Sequence, residues 1–284
     1  KLLIKENYII DLDPWMAREE KKREDFYNKL FLATEKRFKV CEEIMKKNYF
    51  DIIILHIMEP DRLFHFFIKE DNKLEKYFHF LDEKIKEFVE RNVKDEDELI
   101  LLSDHGFTEL KSEINIFPLL KNRGIFKFKI ENSQELKDIS EDSKAFTMTP
   151  GRIYLYKKER FLKAKYKEEE IIKEVENILK DLLNLEGIKD FKSKYEIFGK
   201  EFSNIAPDFL LISEKGFDFR AELKNEEIYI SSPLKGTHTF DDAFLFIRGK
   251  RILKDNVKII DVAPTILNIL EISNKYNFDG EVIV

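Results

Sequence analysis

Apolar residues recur along this chain at two distinct periods. Phe26, Leu30, Ala33, Val40 and Ile44 share one helical face and predict a helix running to about Lys47. The period then changes. Phe50-Asp51-Ile52-Ile53-Ile54-Leu55-His56-Ile57 is a continuous run rich in β-branched residues, the pattern of a strand buried on both faces of a parallel sheet. Leu74, Phe78, Leu81, Ile85 and Phe88 predict the next helix, and Glu98-Leu99-Ile100-Leu101-Leu102 the next buried strand, which together make a βαβ unit.

Beyond Gly124 the pattern loosens. The polar stretch from Glu131 to Lys144 reads as a loop, Gly151 to Tyr156 as a strand, and Ile171, Val175, Ile178, Leu182 and Leu185 as one face of a helix. Residues 130–205 are therefore expected to form an inserted α+β subdomain, between a first part of an α/β core at 1–129 and a second part at 206–284. Phe209 to Ile212 and Ala243 to Ile247 are short apolar strands of that second part. A last helix is expected to begin at Asp261, whose side chain can cap it, with Pro264 in its first turn. The fold class this predicts is α/β: a mostly parallel, doubly wound sheet with helices on both faces and the small insertion.

Composition narrows the function classes. The chain has 284 residues, 43% of them hydrophobic, enough for a full core, and only 9 Gly and 7 Pro, which excludes collagenous and low-complexity classes. Its 50 Lys and Arg against 56 Asp and Glu leave a net charge of −6, so nothing in the balance asks for nucleic acid. No apolar stretch approaches the roughly 20 residues that a membrane span needs. With one cysteine, Cys41, there is no disulfide framework, and any metal site must be built from His, Asp and Glu. The single Cys and the absence of a signal or transmembrane segment favour the cytoplasm as the expected compartment. Oligomeric state is not readable from the pattern.

Three of the five histidines stand at element ends beside carboxylates or a glycine. Asp61 and His65 follow the strand predicted to end near Ile57; if Pro60 opens a helix, their spacing puts both on one face. Asp104 and His105 follow the strand ending at Leu102, and His238 lies in a turn before Phe244. Ligands collect at the carboxyl ends of strands in open parallel sheets, so these five side chains are expected to converge. Two carboxylates and three imidazoles suit Zn²⁺ or Mn²⁺ better than Ca²⁺ or Mg²⁺. Each element alone also has a structural reading: Asp61 as a helix cap, His65 packed among Phe64, Phe66 and Phe67, and Asp104-His105-Gly106 as a turn. His56 and His79 read as structural, and Cys41 as core.

Taken together, Glu-Pro-Asp-Arg-x-x-His at 59–65, Ser-Asp-His-Gly-Phe at 103–107, Gly-Thr-His at 236–238, Pro-Asp-Phe at 207–209 and Asp-Val-Ala-Pro-Thr-Ile-Leu at 261–267 resemble the alkaline phosphatase superfamily, in its type I phosphodiesterase and nucleotide pyrophosphatase branch. The resemblance implies a hydrolase of phosphate esters or nucleotides with two divalent metal ions, Zn²⁺ first and Mn²⁺ second. It assigns Asp61, His65 and His238 to one metal, and Asp104 and His105 to half the shell of the other. It also implies an aspartate and a Thr or Ser nucleophile that precede these motifs. Nothing before Asp61 matches them, and Thr34 falls inside a helical pattern, so the chain is expected to be the C-terminal portion of a longer protein and inactive by itself. Sulfatases would need a Cys/Ser-x-Pro-x-Arg element, and cofactor-independent phosphoglycerate mutases a His-Ser-x-x-Pro setting, which Gly236 to Phe240 lacks. A phosphomonoesterase, a phosphomutase or a non-catalytic metal-binding fragment remain the alternatives.

Overall fold

The structure, a computed structural model, describes residues 2–130, 133, 135–148, 150–199, 205–273 and 277–284. In chain order the helices are α1 (Leu2–Lys5), α2 (Trp15–Arg18), α3 (Glu20–Met45), α4 (Glu59–Phe67), α5 (Asp71–Asn92), α6 (Ile116–Asn122), α7 (Glu168–Leu182), α8 (Lys194–Phe198) and α9 (Val262–Ile269). The strands are β1 (Ile100–Leu102), β2 (Gly106–Glu109), β3 (Ser112–Asn115), β4 (Ala145–Thr147), β5 (Arg152–Leu155), β6 (Ile188–Ser193), β7 (Phe209–Ser213), β8 (Phe217–Arg220), β9 (Tyr229–Ile230), β10 (Gly236–Thr239) and β11 (Leu245–Ile247). Two compact units result: Lys1–Pro60 with Asn72–Phe107 and His238–Val284, and Asp61–Asp71 with Thr108–Thr237.

The first unit is built on α3 against α5. Phe26, Leu30 and Ala33 are fully buried on α3, as the three-to-four spacing requires, and each large apolar side chain so buried contributes about 1.5–3 kcal/mol. Phe31 packs on Tyr77 and Phe80 with ring centroids 5.2 and 4.9 Å apart, and Phe38 on Phe88 at 5.5 Å. Thr34 is buried mid-helix, its hydroxyl 2.6 Å from that of Tyr77, so it is packing and not a reactive group. β1 pairs antiparallel with β11, Ile100 opposite Ile247.

Residues 50–57, expected as a strand buried on both faces, form no strand and join no ladder among the described residues. Phe50, Ile52, Ile53 and Ile54 are exposed, Ile54 by 84%. The reason is physical: a strand of this kind owes its burial to neighbours on both edges, and none of the described segments supplies them. His56 is exposed with it and is not held in a buried strand as expected, while His79 lies within α5 as expected, on its open face and 3.7 Å from Glu75. Asp261 precedes α9 but does not cap it. Its buried carboxylate accepts instead from the backbone N–H of Lys258 and of Glu281, both at 2.8 Å.

The second unit carries its own core, in which α7 lays Ile171, Val175, Leu179 and Leu182 against an antiparallel sheet of order β4-β5-β7-β6. A second sheet has the order β8-β3-β9, with β3 parallel to β8 and antiparallel to β9. Residues 130–205 all fall within the range of this unit, but so do β3, α6 and β7, and residues 131, 132 and 134 of the expected loop lie outside the described residues. The chain is thus α/β with mixed helices and sheets; a parallel doubly wound sheet is not seen among the described residues, where β1–β11, β4–β5, β5–β7 and β6–β7 all pair antiparallel.

Candidate metal centre

Asp61 and His65 sit one turn apart on α4, as the spacing predicts, with Asp61 Oδ1 3.6 Å from His65 Nε2. Arg62 holds the other oxygen of Asp61 at 2.8 Å. The ring of His65 is oriented from behind: its Nδ1 lies 3.0 Å from the Gly236 carbonyl oxygen. A carbonyl can only accept, so Nδ1 carries the proton and the lone pair of the neutral ring is on Nε2, the nitrogen beside Asp61. Gly236 makes this approach feasible, because a Cβ there would come 2.5 Å from the Phe64 carbonyl oxygen. The backbone N–H of Lys235 donates to the His65 carbonyl at 2.7 Å and ties the start of β10 to α4.

Asp104, His105 and His238 come together in the first unit. His105 Nε2 is 3.5 Å from Asp104 Oδ1, and its Nδ1 lies 3.2 Å from the Gly106 carbonyl oxygen, the same tautomer-fixing contact. The rings of His105 and His238 are 4.1 Å apart between centroids, with a nitrogen of each within 4.8 Å of the other. Phe107 meets both rings edge-on at 5.4 and 5.0 Å. His238 and Asp104 are exposed and His105 half-buried, so the group faces solvent.

Both His–Asp pairs pose the same electrostatic question. A neutral imidazole whose Nδ1 is committed to a carbonyl turns an electron pair toward a carboxylate oxygen about 3.5 Å away. The two repel unless a proton or a shared cation lies between them. The donor set of imidazole nitrogens and carboxylate oxygens fits Zn²⁺ or Mn²⁺.

Several residues that shape the site were not found from the sequence. A Cβ on Gly106 would overlap the Asp242 carboxylate and stand 2.8 Å from Thr239 Oγ1, and the Thr239 hydroxyl donates to Asp242. This pair packs against the backbone beside His105, yet its only trace in the sequence is an acidic doublet shortly after His238. Arg62 and Phe107 stand inside the recognised motifs without any signal of their role.

A sequence profile described as type I phosphodiesterase / nucleotide pyrophosphatase matches residues 6–241. Among solved structures, that of human ectonucleotide pyrophosphatase / phosphodiesterase 5 is similar at a TM-score of 0.54 and 14% identity, over 89% of this chain. This chain spans 61% of the length of that one. No curated protein sequence matches.

Proposed function

The chain belongs to the type I phosphodiesterase / nucleotide pyrophosphatase family, and from that premise we propose that it carries the metal-ligand half of a phosphodiesterase or nucleotide pyrophosphatase acting on small phosphate esters or nucleotides. In this reading Asp61, His65 and His238 hold one divalent ion, and Asp104 and His105 contribute to a second, each Zn²⁺ with Mn²⁺ as substitute. The fold of the parent is the doubly wound α/β sheet of the superfamily, and the Thr or Ser nucleophile lies outside this chain.

One observation carries the reading. Two histidines in separate units each spend Nδ1 on a backbone carbonyl and turn Nε2 toward an aspartate, at 3.6 and 3.5 Å. That is the orientation a ligating imidazole needs, and packing alone gives no reason for it twice. When bound, divalent ions in such a site polarise the phosphoryl oxygens and lower the pKa of an attacking hydroxyl or water. The chain's own residues prepare for this. Gly236 fixes the His65 tautomer through its carbonyl, Arg62 aims the Asp61 carboxylate, and Phe107 walls the rings of His105 and His238.

The test compares hydrolysis of a nitrophenyl phosphodiester with that of its monoester, in Zn²⁺ and in Mn²⁺, by the protein that carries this chain. Faster diester cleavage, lost on chelation and in Asp61→Ala, is expected. Faster monoester cleavage, or an Asp61→Ala variant that retains metal and turnover, would overturn the assignment.

A further inference from the structure

Arg37 occupies the middle of α3, and it is only 6% exposed. Its guanidinium is engaged on every side. Nε donates to both oxygens of Glu59 at 2.8 and 2.9 Å, one terminal nitrogen to the Tyr8 hydroxyl at 2.7 Å, and the other to the Ile10 carbonyl at 3.0 Å. Glu59 is 2% exposed. Replacing a buried ion pair by apolar residues of similar volume is often neutral or stabilising, so stability alone is a weak reason for this one.

The position of Glu59 supplies another reason. It is the first residue of α4, and Asp61 and His65 follow within two turns on the same helix. The planar fork of Arg37 thus joins three stretches of chain, residues 8–10, α3 and the first turn of α4, in a fixed geometry that a flexible lysine ammonium would not impose.

We propose that Arg37 is a positioning residue, which by gripping Glu59 fixes the first turn of α4, the helix that carries Asp61 and His65. The inference rests on the reading of those two side chains as metal ligands. It assigns Arg37 no contact with metal or substrate. The same logic makes Tyr8 and the Ile10 carbonyl the backing that keeps the guanidinium from turning.

The test is Zn²⁺ affinity measured beside thermal stability in the full chain. Arg37→Met leaves Glu59 buried without a counter-charge and is expected to lower the melting temperature. The double variant Arg37→Met/Glu59→Met removes both charges and is expected to restore the melting temperature, yet to bind Zn²⁺ about 10- to 100-fold more weakly, the usual loss when a group that orients a ligand is removed. Should that variant fail to fold, Arg37→Lys, which keeps the charge beside Glu59 but not the planar guanidinium, decides by the same criterion. A folded double variant, or a folded Arg37→Lys, with wild-type Zn²⁺ affinity would overturn the positioning role while leaving the metal centre intact. A wild-type chain that takes up no Zn²⁺ would overturn the metal reading itself, and the positioning role with it.

Discussion

At the scale of single residues, the site depends on close approaches that only particular side chains permit. Gly236 brings its carbonyl to His65 because nothing projects from its Cα toward Phe64. Gly236→Ala is expected to push β10 away from α4, to destabilise the protein by about 1–3 kcal/mol, and to weaken Zn²⁺ binding as His65 loses its tether. Denaturant unfolding and metal titration on the same sample check this; unchanged values in both would contradict the steric account. The exposed ring of His238 has a simpler prediction. His238→Ala is expected to leave stability within about 0.5 kcal/mol of wild type while lowering metal affinity, since an exposed side chain contributes little packing. A variant that binds Zn²⁺ as wild type does would remove His238 from the ligand set.

At the scale of elements, the second unit is held by a buried cluster of charges. Asp208, just ahead of β7, accepts from Lys157 at 2.7 Å, from Lys194 at 2.9 Å and from the backbone N–H of Leu155 at 2.8 Å. Burial pushes its carboxyl up, but the two ammonium groups outweigh burial and hold it below the usual carboxylate range. Asp208→Ala leaves the buried Lys157 and Lys194 with Glu168 as their remaining counter-charge and is expected to cost about 3 kcal/mol in denaturant unfolding; a loss under about 1 kcal/mol would contradict the clamp. Asp261 makes a separate acid-sensitive tie. Backbone N–H groups of Glu281 and Lys258, with Lys254 beside them, hold it down to about 2. A carboxylate so depressed contributes in full above its unfolded pKa of about 3.9, and that contribution is lost as pH falls toward the folded value. Asp261→Asn is expected to flatten the acid limb of the stability curve between about pH 4 and 2, and an acid limb like the wild type's would contradict the assignment. These elements also mark what was legible in advance. α3, α5 and α7 could be read because each buries one face, and a period of three to four records that directly. The His and Asp residues at element ends were legible for a related reason, since polar groups beside apolar runs stand out. The segment at 50–57 was misread because burial on both faces is decided by its neighbours and not by the run itself. The approach of Gly236 to His65 left no periodic trace, because a contact between distant parts of the chain has none, and the pairs of Asp242 with Thr239 and of Arg62 with Asp61 are single polar contacts between near neighbours, which repeat at no period.

At the scale of the whole molecule, the first unit leaves strand-like apolar sequence in solvent, and this has a measurable consequence. The run at 50–55 combines high β propensity with a single charge, the composition of an association-prone segment. Ile54→Lys is expected to reduce light scattering at high protein concentration without lowering the melting temperature, because Ile54 is 84% exposed. A fall of several degrees would mean that the segment is buried in solution. No helix among the described residues is long and apolar enough to cross a membrane. The central claim is that imidazoles and carboxylates of this chain grip divalent cations, and Zn K-edge absorption spectroscopy of the Zn²⁺-loaded chain tests it most directly. The account predicts Zn–N distances of about 2.0–2.1 Å with an imidazole scattering signature that diminishes in His65→Ala and His238→Ala. A spectrum of hydrated Zn²⁺, or an imidazole signature that survives the combined replacement of His65, His105 and His238 by Ala, would contradict it.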